Sequence, residues 1–120
     1  MRISEAATQC GLSIDTIRFY ERSGLLPPIE RGRDGQRRFS AVDVDWLTLL
    51  ASLRGTGMSM KTMRHFAGLY RQGDATIPER KKVLLDHARH LERQRDALDR
   101  CADILAYKLK RYDQIAEKAS

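Results

Sequence analysis

Thr16, Arg18 and Tyr20 place a hydroxyl, a guanidinium and a phenol close together on a segment that reads as a short helix. Such groups are suited to a phosphate backbone or to base edges in a groove. A second basic cluster follows, with four arginines, Arg31, Arg33, Arg37 and Arg38, inside eight positions. Pro27 and Pro28 stop the preceding helix and Gly32 and Gly35 allow a turn. Arg37-Arg38-Phe39 can then return as a short strand, its basic side chains toward phosphate and Phe39 anchoring the base. A helix pair followed by this basic wing points to DNA.

Other chemistries find little support. The three histidines, His65, His87 and His90, are spread along helices, and no Gly-rich phosphate cradle occurs. Acids alternate with bases as on solvated helix faces, so no enzyme is expected. Cys10 and Cys101 stand ninety-one positions apart without a local CxxC. A metal would need ligands from a second chain, and neither metal nor cofactor is expected. Cys10 reads as packing, and Cys101 as a small apolar group on a helix seam, where pairing across a dimer would bring two thiols near each other.

The elements that must position the basic groups follow from caps and breakers. The segment from Ser4 to Cys10 forms a short helix that Gly11 can end in a left-handed conformation, and Ser13 can cap a second helix running to Ser23. Together they resemble a helix-turn-helix, closed by Ala6, Ala7, Leu12 and Ile17. Ser40 and Asp43 suggest a capping box for a third helix with Val42, Trp46, Leu47, Leu49, Leu50 and Leu53 as its apolar stripe. Ser59 caps a fourth, with Met60, Met63, Phe66, Ala67, Leu69 and Tyr70, before Gly73. Trp46 reads as core.

Thr76 with Glu79 offers a further capping box, and after Pro78 no glycine or proline interrupts the chain. One long helix is expected. Leu84, His87, Leu91, Gln94, Leu98, Cys101, Leu105, Lys108 and Tyr112 recur at alternating steps of three and four, the spacing of a coiled-coil seam. At about 50 Å from Pro78 to Tyr112 this helix is too long to bury its stripe against a small lobe. It needs a partner helix, and a homodimer supplies one with the twofold symmetry of palindromic DNA. The expected architecture is mostly α, a head over 1–75 and a dimerisation helix with a short tail over 76–120.

Bulk properties agree without locating the site. The chain has 120 residues, a formal charge of +6 and 42% hydrophobic residues. Residues 1–70 and 71–120 each carry net +3, so position, not bulk charge, marks the DNA surface. No run approaches eighteen apolar residues and the first residues lack a signal core, so a cytoplasmic protein without membrane association is expected.

In order along the chain, Thr16-Ile17-Arg18-Phe19-Tyr20-Glu21, Gly24-Leu25-Leu26, Arg37-Arg38-Phe39 and Gly55-Thr56-Gly57-Met58-Ser59 resemble the MerR family of bacterial transcriptional regulators. The resemblance extends over almost the whole chain. It implies a winged helix-turn-helix head and long helices pairing antiparallel as a coiled coil. It also implies a dimer on a promoter with an overlong spacer, bending and untwisting the DNA in response to an effector so that RNA polymerase engages both promoter elements. On that basis Thr16, Arg18 and Tyr20 are assigned to the major groove, Arg33, Arg37 and Arg38 to flanking phosphates, and Lys61 with Arg64 to backbone contact from the fourth helix.

The absence of cysteine clusters, and of residues for a large effector domain, leaves a short form, and the stretch Trp46-Leu47-Thr48-Leu49-Leu50-Ala51-Ser52-Leu53-Arg54-Gly55-Thr56-Gly57-Met58 resembles the aldehyde and thiol-stress branch. That branch commonly carries a cysteine where this chain has Ser52. Trp46, Met60, Phe66 and Tyr70 are candidates to line an effector pocket. Two other readings stay open: a repressor or architectural DNA-binding protein without effector, and a helical adaptor or structural dimer that binds no specific DNA.

Overall fold

The computed structural model describes residues 1–119. The chain is mostly helical, with a winged helix-turn-helix-like hairpin and a long C-terminal helix: α1 (Ile3–Cys10), α2 (Ile14–Arg22), β1 (Glu30–Arg31), β2 (Arg37–Arg38), α3 (Ala41–Gly55), α4 (Met60–Arg71), a 3-10 turn (Asp74–Thr76) and α5 (Ile77–Ala119). It divides into two compact units, Met1–Leu84 and the stretch from Leu85 onward. None of the described helices is long and apolar enough to cross a membrane.

Local capping chemistry sets most boundaries of the first unit. Gly11 closes α1 at φ 74°, a left-handed geometry that costs glycine little. The Ser13, Ser40 and Ser59 hydroxyls accept the amides of Thr16, Asp43 and Thr62, each at 3.1 Å. At α3 the box is reciprocal, with the Ser40 amide donating to Asp43 Oδ2 at 2.8 Å. Each bond satisfies an amide that the first helical turn leaves without a carbonyl.

Ile17, Leu25, Phe39, Leu47, Leu50 and Met63 are the largest fully buried side chains of this unit, drawn from α2, the wing base, α3 and α4. Val83 and Leu84, in the first turns of α5, pack against the same cluster. Trp46 is buried as expected, stacked on Phe66 at 5.4 Å and on Tyr70 at 4.5 Å between ring centroids. Its indole Nε1 donates to the Leu25 carbonyl at 2.8 Å, so the one polar atom of the ring is satisfied inside the core.

Two local expectations need correction. Val42 is 65% exposed rather than part of the α3 stripe, because it stands in the first turn, ahead of the buried run that begins at Val44. Thr76 does not look forward to cap α5. Its hydroxyl turns back within hydrogen-bond reach of the Leu69 and Gly73 carbonyls, at 2.6 and 2.8 Å, and the 3-10 turn leads into the helix instead.

In the second unit, α5 continues without a break to Ala119, which gives the whole helix a length of about 65 Å at 1.5 Å per residue. In the chain by itself Leu98, Ile104, Leu105, Leu109, Tyr112 and Ile115 are all exposed. At 100° per residue these six fall on one broad face of the helix. Of the seam positions, Leu84 and Leu91 are half-buried, His87 is 8% exposed, and Gln94, Cys101 and Lys108 are exposed. Burial pushes the His87 imidazole below the ordinary histidine range, and the neighbouring His90 ring adds to the effect.

Candidate nucleic-acid interface

Helix α2 is amphipathic over only nine residues, and its inward face decides what its outward face offers. Ile17 and Tyr20 are buried, three apart, as one side of a helix requires. Asp15, Arg18, Phe19 and Arg22 are exposed along the other side, and Thr16 is half-buried, its hydroxyl 2.8 Å from that of Ser13. Arg18 is therefore open to solvent on the outward face. Tyr20 does not: it is 4% exposed, burial raises its phenol pKa, and the nearby Arg54 charge opposes that rise. Its outward position is held by Phe19, 46% exposed, a residue that sequence reasoning passed over. Two adjacent aromatics on a short helix cannot both face inward, and Tyr20 is the one that joins the core cluster.

The wing is a two-residue antiparallel ladder, Glu30 opposite Arg38 and Arg31 opposite Arg37, joined through Gly35 at φ 78°. Side chains hold the turn: Arg31 Nη1 donates to the Gly35 carbonyl at 2.8 Å and the Gln36 amide donates to Asp34 Oδ1 at 3.1 Å. The latter bond, together with the Arg38 charge, lowers the Asp34 carboxyl pKa. Arg38 Nη2 lies 3.2 Å from Asp34 Oδ2, and a Cβ on Gly32 would come within 3.0 Å of Arg38 Nε. The glycine thus leaves room for the guanidinium to lie flat along the hairpin. Arg33, nearer the tip, is exposed.

Arg37 has a different place. Its Nε and Nη2 reach the same Glu21 oxygen at 2.7 and 2.6 Å, joining the wing to α2 across sixteen positions of sequence. The hydrogen bond to Glu21 raises the Arg37 pKa, keeping the guanidinium charged. Both side chains are about three-quarters buried, at 28% and 27% exposure. This geometry braces the wing against the reading helix. Replacing Glu21 and Arg37 singly and together by alanine is expected to show a coupling of about 1 kcal/mol in urea unfolding, the upper range for a partly exposed ion pair. Strict additivity would leave the contact without a bracing role.

Lys61 and Arg64 are exposed on α4, one helical turn apart. Of the four candidates for an effector pocket, Phe66 and Tyr70 each stack on Trp46 and Met60 is half-buried. Cys10 is buried, and Cys101 is exposed in the second unit. No group of three or more His, Cys, Asp or Glu side chains arranged to hold a metal ion occurs among the described residues.

The chain matches two family models. Residues 1–67 match the MerR HTH family regulatory protein model and residues 44–107 match the MerR DNA-binding model. It is similar to an uncharacterized HTH-type transcriptional regulator of Haemophilus influenzae, 40% identical over 111 residues, covering 92% of this chain and 82% of that protein. Among solved structures it is similar to HiNmlR, a family regulator lacking the sensor domain and bound to promoter DNA. That likeness has a TM-score of 0.85 and 40% identity, over 94% of this chain and 90% of the other. A family regulator from Listeria monocytogenes gives 0.86 at 35% identity, over 94% and 86%.

Proposed function

Because this chain belongs to the MerR family of helix-turn-helix regulatory proteins, a family of DNA-binding transcriptional regulators, we propose that it binds a pseudo-palindromic promoter operator as a homodimer. In this reading α2 enters the major groove with Arg18 at its centre, flanked by Thr16 and Phe19. Arg33 and Arg38 grip phosphates beside the groove from the wing, Arg37 holds the wing in register, and Lys61 with Arg64 adds backbone contact from α4. The exposed arginine on α2 beside the wing that Glu21 and Arg37 tie to it is the observation that carries the reading.

The second chain follows from α5. Its exposed leucine, isoleucine and tyrosine face is self-complementary when two copies pair antiparallel, and such pairing holds two heads for two half-sites. The dimer then activates by distorting the spacer so that RNA polymerase engages both promoter elements, in the cytoplasm where promoter and polymerase meet. Deforming twenty to thirty base pairs costs on the order of 1–10 kcal/mol, which only firmly anchored heads can sustain. Within the family we place it nearest the aldehyde and thiol-stress branch, with Ser52 in place of that branch's cysteine.

Arg18→Ala is expected to weaken operator binding by about tenfold or more while the dimer persists, since a good guanidinium-to-base pair is worth about 1–3 kcal/mol. A gel shift at fixed salt, with size-exclusion chromatography on the same samples, reads both. Unchanged affinity removes Arg18 from the groove.

A second reading, a DNA-binding repressor or architectural protein without a small-molecule effector, is favoured by one observation. Three of the four candidate pocket residues are taken up in packing, Phe66 and Tyr70 each stacked on Trp46. In vitro transcription from the neighbouring promoter, with and without aldehydes, thiol oxidants and other candidate compounds, separates the two readings.

A further inference from the structure

Arg80 is a charged side chain where a leucine would serve for packing alone. In the first turns of α5, inside the head unit, it is only 16% exposed. Its Nε donates to Thr76 Oγ1 at 3.1 Å, its Nη2 donates to the Gly73 carbonyl at 3.1 Å, and its Cζ lies 5.4 Å from the centre of the Tyr70 ring. The nearest carboxylate, Asp74, stands 3.8 Å from Nη2 but is 97% exposed, so its attraction is largely screened. The guanidinium is thus held by a hydroxyl, a carbonyl and an aromatic face. The hydroxyl and the carbonyl, themselves 2.8 Å apart, are met by two nitrogens of the fork while the Tyr70 ring lies near its carbon, and a planar fork that meets them all cannot rotate without losing one.

The contacts continue toward the reading helix. Tyr70, beneath the guanidinium, stacks on Trp46, whose indole donates to the Leu25 carbonyl, and the Leu25 amide donates at 2.9 Å to the carbonyl of Tyr20 in α2. Arg71, next along α4, donates to the Gly24 carbonyl. The start of α5 and the end of α2 are therefore gripped through one continuous set of directional contacts within a single compact unit.

We propose that Arg80 is a positioning residue that sets which half-site spacing the dimer accepts, by locking the first turns of α5 to the Gly73–Thr76 turn and the Tyr70 ring. This rests on the two-headed operator reading above. In a molecule whose heads are joined through α5, the distance between reading helices depends on how firmly each head holds the start of that helix. A loosened anchor leaves each head able to bind a half-site but broadens the spacings that two heads can span together. Arg80 touches no DNA in this scheme, so its effect lies in spacing discrimination rather than in half-site affinity.

The test uses the full-length chain. Duplexes selected by the native protein from a random pool are rebuilt with the centre lengthened or shortened by one or two base pairs, and a single half-site duplex serves as reference. Arg80→Met, which keeps the stem and loses the fork, is expected to bind the half-site within about twofold of the native protein and to lose about tenfold of the preference for native spacing, because the second contact draws its strength from geometry. Arg80→Lys keeps the charge without the fork and is expected to recover only part of that preference. A folded, dimeric Arg80→Met with native spacing preference overturns the proposal. If that variant fails to fold by circular dichroism, Thr76→Val decides: it keeps the volume and removes the hydroxyl that accepts Nε, and an unchanged preference with it overturns the proposal equally. A native protein that selects no paired half-sites removes the operator reading itself, and this inference with it; native selection of paired half-sites with no shift in the variants removes the inference alone.

Discussion

Replacing Leu98 and Leu105 together by glutamate is expected to convert the proposed homodimer to monomer and to lower operator affinity by about a hundredfold or more. The two side chains are 69% and 57% exposed in the single chain, seven positions apart, and face the same side of α5. Paired with a second copy, each leucine buries apolar surface worth about 1.5–3 kcal/mol. Glutamate forfeits that gain and sets carboxylates against the partner helix, where an unpaired buried charge is strongly disfavoured. The loss on DNA exceeds the loss in the seam because two linked heads bind as one, an advantage of about 100- to 10,000-fold that vanishes when the link is cut. Sedimentation reads the mass, a gel shift reads the affinity, and the fluorescence of Trp46, the single tryptophan, reads the head. A variant that stays dimeric places the seam elsewhere on the chain.

Trp46→Ala is expected to cost about 3–5 kcal/mol of stability, the range for deleting a large aromatic from a packed core. It removes the stacks on Phe66 and Tyr70 and leaves the Leu25 carbonyl without its indole donor. Trp46→Phe separates the two contributions: it restores most of the ring contact but not the donor, and its expected cost is about 1–3 kcal/mol. Urea unfolding followed by circular dichroism measures both. An alanine variant with the native midpoint would show that α3, α4 and the segment after α2 are held by something other than this indole.

The distance from sequence to structure differs from one residue to the next. Ser13, Ser40 and Ser59 were legible because a cap is a local event, in which a hydroxyl meets the amide three residues on, and Gly11 because its left-handed turn closes on the carbonyl four residues back. The basic hairpin was legible for the same reason, since prolines restrict the backbone and glycines free it for a tight turn regardless of what lies beyond. Tyr20 and Phe19 were not. Both are aromatic, both suit a helix, and only the closed core decides which ring turns inward. Arg37 carries the same charge as Arg33, yet only the fold brings Glu21, sixteen positions earlier, within 2.6 Å of it. Thr76 looked like a cap for the helix ahead, and its hydroxyl instead meets the carbonyls behind it and the arginine four residues on.

By itself, then, the sequence determined a mostly helical chain with a basic wing after a helix pair and a long uninterrupted helix, because periodicity, caps and breakers act over a few residues. Its ordered motifs also pointed to the family before any geometry was known. Only the tertiary structure decided which groups meet solvent and which meet one another: Phe19 outward and Tyr20 inward, Arg37 on Glu21, Trp46 stacked with Phe66 and Tyr70, and Arg80 held against Tyr70. Such pairings depend on which distant segments share a surface, and a charge or a ring carries no mark of its partner until the chain has closed around it.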